Sequence, residues 1–218
     1  MPEELRIAFH RDLQTIDEKV VQLFALVAEG LAKATDAFLS GDRDAARELV
    51  AKDKLIDELY HDVEDLVQHQ FALQAPMARD LRFLLTVLRI VPELERSHDL
   101  AEHIAKAAAR GLPRELPPRI RGLIEEMGRV GVAMWRSSAT AYLERDAEVA
   151  DSLDGADDEL DDLHVSLTAE LVSGQLTVPV ATEMTLVARY YERLGDHAVN
   201  VAKRVRYLVL GPGTTTAP

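Results

Sequence analysis

The chain contains no cysteine. Disulfides, thiolate metal sites and cysteine nucleophiles are therefore excluded, and any bound metal must sit on oxygen or imidazole. Aromatic residues make up only 5% of the sequence, and the strict apolar–polar alternation of strands is nearly absent, which argues against a sheet. The most apolar run, FLLTVLRIV (Phe83 to Val91), is interrupted by Thr86 and Arg89 and is far short of the roughly 20 residues a membrane span needs. There is no long basic block, and the formal charge is −13. Nucleic acid is a poor partner for such a chain, because its affinity comes from Lys and Arg neutralising phosphates. Anionic lipid is equally poor as a partner by charge alone. The N-terminus, MPEELRIAFHRDL, is charged and amphipathic, unlike a signal peptide. A soluble, cytoplasmic protein is the expectation.

What is present is helix-forming material. Apolar residues reach 47%, enough for a packed core, and Ala, Leu, Val, Glu, Asp and Arg dominate, the palette of helical bundles. Apolar spacing of three and four predicts six long helices and an all-α fold. The first carries Phe9 through Phe38 and stops at Ser40-Gly41-Asp42. The second runs from about Asp42 to Leu73, and the third from Pro76 to about Arg110, with a kink expected at Pro92. GLPRELPP (Gly111 to Pro118) reads as a linker. Three more helices follow: to about Arg145, from Asp146 to Val172, and from Val180 to Leu210. The tail from Gly211 to Pro218 is expected to be disordered.

The linker lies near the middle, and the two sides repeat. AFLSGD (Ala37 to Asp42) answers AYLERD (Ala141 to Asp146). DKLIDEL (Asp53 to Leu59) answers DGADDEL (Asp154 to Leu160). ERSHDLAEHIAK (Glu95 to Lys106) answers ERLGDHAVNVAK (Glu192 to Lys203). Two tandem three-helix up-down-up bundles are the simplest account, residues 1–110 and 119–210.

One pair of acids four apart means little in a chain with 38 of them; most such pairs lie on solvated helix faces. Matched position gives these pairs weight. The middle helices carry Asp53 and Asp57, and Asp154 and Asp158. The last helices carry Glu95 and Asp99, and Glu192 and Asp196. Antiparallel packing brings the members of each half level, so four carboxylates per half are expected to converge between two helices. Such a group needs raised pKa values or a cation. All-oxygen ligation points to a divalent or trivalent hard ion, Mg²⁺, Mn²⁺, Ca²⁺ or iron, with zinc only on non-thiolate ligands. The core seam of the last helix runs Met184, Val187, Tyr191, Leu194, Ala198, Val201, Val205, Leu208, which puts Glu192 and Asp196 on an outer face. Gly195 allows close approach of a neighbouring helix; His98 stands at the matching place in the first half.

The paired ExxxD helices inside a duplicated three-helix unit, the second reading YERLGDHAVNVAK, resemble PhoU proteins, as does QAPMARDLR (Gln74 to Arg82). ERSHDLAEHIA departs from that family's ERIGDxAxNIA at the Ile, Gly and Asn positions. The resemblance implies a cytoplasmic, all-helical, often dimeric regulator of phosphate uptake, with metal clusters on the ExxxD carboxylates and no enzymatic activity. It implies contact with the cytoplasmic subunits of a phosphate ABC transporter and with a sensor histidine kinase. The chain would reach the membrane only through those proteins and repress phosphate-starvation genes.

Other readings remain open. A ferritin-like carboxylate oxidase needs paired ExxH motifs, and Glu95-Arg-Ser-His98 supplies one. A phosphotransfer bundle needs an exposed His, with His197 or His103 nearest the motifs. A metal-independent scaffold would use the same acids as partner-binding faces.

Overall fold

The computed structural model describes residues 3–51, 54–74, 76–112 and 116–211, the side chains of 3–5 and 74 aside. The helices are α1 (Glu3–Ser40), α2 (Arg43–Ala51), α3 (Lys54–Gln74), α4 (Ala78–Ala109), α5 (Pro118–Glu144), α6 (Ala147–Asp151), α7 (Leu153–Val172) and α8 (Val178–Leu210). No strand occurs among the described residues, and no helix among them is long and apolar enough to cross a membrane. The six expected helices are there; the fifth is divided into a short piece and a long one, while α2 and α3 are the described parts of the second, on either side of residues 52–53, which lie outside the described residues. In the fifth the division falls at Ser152, whose backbone stays helical at φ −71 and ψ −14. Helix α4 runs unbroken through Pro92. Asp53, the middle of the linker and the tail from residue 212 lie outside the described residues.

The repeated AFLSGD and AYLERD segments turn out to be one piece of local chemistry used twice. Each ends a long helix by returning a backbone N–H five residues back, Asp42 to Ala37 at 3.1 Å and Asp146 to Ala141 at 3.0 Å. Each Asp then caps the next helix. Asp42 Oδ1 accepts from the backbone N–H of Asp44 and Ala45, and Asp146 Oδ1 from Glu148 and Val149. The turn needs a left-handed residue. Gly41 supplies it freely at φ 71, whereas Arg145 adopts φ 54, a conformation costing an ordinary side chain about 1–2 kcal/mol. Arg145 is held there by donating to Tyr142 O at 2.9 Å and to Asp17 Oδ1 at 2.6 Å.

Within each half the helices run up, down, up. Lys19 pairs with Asp62 and Asp12 with Gln70, so α1 and α3 are antiparallel. Arg129 pairs with Glu159 and Arg119 with Glu170, so α5 and α7 are too. The halves then join through like helices laid head to tail. On α1 and α5, Asp17 meets Arg145, Phe24 stacks against Trp135 at 6.4 Å, and Thr35 faces Gly128. On α4 and α8, Ser97 meets His197 at 2.9 Å, His103 lies against Tyr190, and Arg110 pairs with Glu183. A pseudo-twofold axis relates the halves, and one continuous cluster of buried side chains spans both. The α8 seam read from sequence is buried along its whole length, and Trp135 is fully buried.

At Gly128 α5 lies close against α1. A Cβ there would lie 2.4 Å from Thr35 Cγ2, and Thr35 Oγ1 is also bonded to the buried Tyr191 hydroxyl at 2.8 Å. Gly128→Ala is therefore expected to lower stability by about 1–3 kcal/mol through overpacking, measured by urea unfolding. Adding Thr35→Ser, which deletes the clashing methyl and keeps the hydroxyl, should recover part of the loss.

Candidate functional site

The acidic seam of the second half is set by Gly195. A Cβ on it would lie 2.7 Å from Asp157 Oδ1 and 2.7 Å from Leu160 Cδ2, so α7 lies directly on the α8 backbone. This contact decides which acids of α7 meet α8. Leu153, Leu160, Leu167 and Leu171 are the buried stripe of α7. Asp157 follows Leu153 by four and precedes Leu160 by three, so it shares their face. Asp154 and Asp158 are turned away and exposed. The structure adds Asp157, with Asp161 next along, as the acids of α7 nearest Glu192 and Asp196, with Asp154 and Asp158 at the exposed side of the same cluster. Counting outward from the loop located the right turn of helix; the buried stripe would have given the right face.

Crowding shows in the protonation behaviour. The Asp157 carboxyl is pushed up to about 6, first by burial and then by the charges of Asp161, Asp196, Asp154 and Asp158. Glu192 is also raised, by burial and by Asp196, with Arg189 and His164 opposing. Its Oε1 is bonded to Arg189, and its Oε2 is buried with no hydrogen-bond partner. Beside the seam is a recess of about 350 Å³ lined by Asp157, Asp196, Arg189, Arg193 and Lys203. Oxygen donors, raised basicity and an unpartnered buried carboxylate oxygen are the chemistry a hard cation takes. Even so, no three His, Asp or Glu groups among the described residues stand close enough together to hold a metal ion. The expected convergence of four carboxylates is not met in this arrangement of side chains.

The first half is sparser. Glu95 and Asp99 on α4 are partly buried, Asp57 on α3 is exposed, and Asp53 is outside the described residues. Asp99 is raised by burial, then by Glu102 and Asp57, with His103 opposing. Burial, then a 2.8 Å hydrogen bond to Glu64, pushes Tyr60 up to about 12, and Glu95 adds to the shift. His98 fills the place of Gly195. In exchange, α1 has Gly30 where α5 has Met134: His98 Nδ1 lies 3.2 Å from where a Gly30 Cβ would be, and Met134 Cε lies 3.6 Å from that of Gly195. Large and small residues have traded places between the halves. Among the described residues α3 also packs less closely on α4 than α7 does on α8.

Two polar groups hold the halves together: His197, which the sequence offered as a phosphotransfer candidate, and Asp17, which gave no signal there. His197 is buried between α4 and α8, its Nδ1 donating to Ser97 Oγ while that hydroxyl donates to Glu93 O at 2.6 Å. Burial lowers its pKa, and the nearby Glu93 carboxylate only partly opposes this. His197 is thus a packing residue. Asp17 accepts from Tyr142 Oη and from Arg145, both at 2.6 Å.

Comparison with known proteins agrees with this architecture. The family model described as PhoU domain matches residues 20–108 and 124–205, one segment in each half. Phosphate-specific transport system accessory protein PhoU homolog 2 of Mycobacterium tuberculosis is 35% identical over 210 residues, covering 95% of this chain and 99% of that protein. Homolog 1 of Mycobacterium leprae is 33% identical, covering 98% and 99%. The crystal structure of PhoU from Pseudomonas aeruginosa superposes with a TM-score of 0.86 at 26% identity, over 93% of this chain and 99% of that one. The phosphate transport system regulatory protein PhoU from Streptococcus pneumoniae superposes with a TM-score of 0.83, also at 26% identity, over 93% and 97%.

The Asp157 pKa gives a signed expectation. Its folded value of about 6 lies above the ordinary 3.8, so between those values the folded chain binds more protons than the unfolded one. Stability from this group is present at low pH and lost as pH rises through about 6. Asp157→Asn is expected to raise Tm at pH 7 by about 2 °C, after allowing for solvent screening. At pH 4 the gain should vanish. Paired thermal melts at the two pH values check it.

Proposed function

The chain belongs to the PhoU family, and from that premise we propose that it is an accessory, regulatory protein of phosphate uptake that acts by docking and catalyses nothing. The observation that carries the reading is the full-length match to proteins of that name. It coincides with the acidic α7–α8 seam built on Gly195, the segment where the chain's motif is most like the family's. The partners in this reading are the cytoplasmic subunits of a phosphate ABC transporter and a sensor histidine kinase. The protein would be a cytoplasmic homodimer that reaches the membrane through them. When phosphate is plentiful it would repress the phosphate-starvation genes.

The same reading includes a divalent or trivalent hard metal ion, iron, Mn, Mg or Zn, on each acidic seam. In the second half Asp157, Asp161, Glu192 and Asp196 would hold it, with Asp154 and Asp158 adding charge from the rim. In the first half Glu95, Asp99 and Asp57 would do so, with Asp53. A bound cation would supply the positive charge that these carboxylates lack and would tie α7 to α8. For this, Glu192 must turn from Arg189 and aim its buried Oε2 outward. A metal-independent scaffold is the second reading, favoured by one observation: Arg189 already neutralises Glu192, and no three donors converge among the described residues.

Deleting the gene should switch on phosphate-starvation genes in high phosphate, measured by transcript levels; unchanged expression would count heavily against the regulatory role. Elemental analysis of the purified protein separates the two site readings. Metal is expected in the wild type and lost in the Glu192→Ala/Asp196→Ala variant, while a metal-free wild type after incubation with Mn²⁺ or ferrous iron leaves the scaffold.

A further inference from the structure

The trade of large and small residues between the halves leaves space in one of them. In the first half a groove of about 820 Å³ runs between α1, α2 and α3, with Gly30 and His98 at its floor. Along α1 it reaches from Leu26 to Ser40, about 20 Å of helix at 1.5 Å per residue. Its walls are apolar, Leu26, Leu49 and Ile56 among them, and Leu55 stands at its lip with 52% of its surface exposed. Its rim is acidic. Five carboxylates, including Asp36, Glu48 and Glu58, face two lysines, Lys33 and Lys54, and Lys33 already pairs with Glu29 at 3.1 Å.

We propose that this groove docks an amphipathic, basic helix of a partner protein, about four turns long. The inference rests on reading the chain as an accessory protein that acts by docking. Three features set the occupant. The span along α1, about 20 Å, matches the length of a four-turn helix, and Leu26, Leu49, Leu55 and Ile56 offer its apolar face a surface. A negative rim selects Lys and Arg flanking the apolar face. A second copy of this chain carries a net charge of −13 and would meet the rim with like charge.

The test is fluorescence anisotropy on the full chain. The probe is a labelled helical peptide of about four turns with Leu on one face and Lys on the other; its twin has Glu in place of Lys. Two variants accompany the wild type. Gly30→Met/His98→Gly moves the second half's pair into the first, filling the groove without overpacking. Leu55→Lys/Glu58→Lys changes only exposed residues at the lip, and decides alone if the first variant does not fold. The Lys peptide should bind the wild type, bind either variant roughly tenfold more weakly or worse, and outcompete the Glu twin. Equal binding to wild type and variants would assign the affinity to the acidic surface in general and overturn the proposal. Binding of the Glu twin as tightly, or no binding of either peptide to the wild type, would overturn it as well. If the wild type self-associates and the lip variant does not, the occupant is a second copy and the proposal fails. None of these results depends on gene expression, so failure of the groove and failure of the regulatory reading are separable.

Discussion

Like helices packed head to tail across the molecule constrain everything else in it. Helix α1 on α5 and α4 on α8 bury the aromatic and aliphatic side chains that neither half can cover alone, and the core is continuous as a result. Three helices expose too much of their apolar stripes to be stable in isolation; two sets, related by a pseudo-twofold axis, close on each other. Where backbones come close, small residues are required, as at Gly128 under Thr35. Some polar groups trapped in these interfaces are matched, Thr35 with Tyr191 and Ser97 with His197, which offsets the cost of burying them, whereas the buried Trp135 Nε1 has no partner.

With the frame fixed by the paired helices, the middle helix of each half is free to differ, and it does. Gly195 brings α7 onto α8, and burial together with the neighbouring acids pushes the Asp157 carboxyl up to about 6. His98, at the corresponding place, sends its ring toward Gly30 and lines a groove in the first half. The same fold thus presents two chemically distinct sides: concentrated negative charge on one half, an acid-rimmed apolar cleft on the other. The asymmetry comes from an exchange of volume between pairs of core residues, Gly30 with His98 and Met134 with Gly195. Total packing is conserved while the surfaces diverge.

Much of this was legible. Apolar periodicity marked all six helices, because a buried stripe must recur every 3.6 residues. The Asp42 and Asp146 anchors were visible as a repeat, and their role as caps explains why the repeat was kept. Substitution of His98 for Gly195 marked the place where the two halves differ. The break at Ser152 was not legible, since no proline marks it and the helical pattern continues on both sides. Asp157 was missed beside Asp154 and Asp158 because acids on neighbouring positions look alike in the pattern. Only their offset from Leu153 and Leu160 distinguishes inward from outward.

The sequence alone determined an all-helical, duplicated, acidic chain without thiols and the turn of each helix where charge gathers, because these follow from composition and from spacing along one strand of covalent bonds. Tertiary structure alone decided which face of α7 meets α8, that Arg189 holds Glu192, that Asp17 steadies the left-handed Arg145, and that a cleft lies between α1, α2 and α3. Those outcomes depend on contacts between residues far apart in the chain. Their geometry is settled when whole helices compete for the same buried volume, and no local pattern records the result.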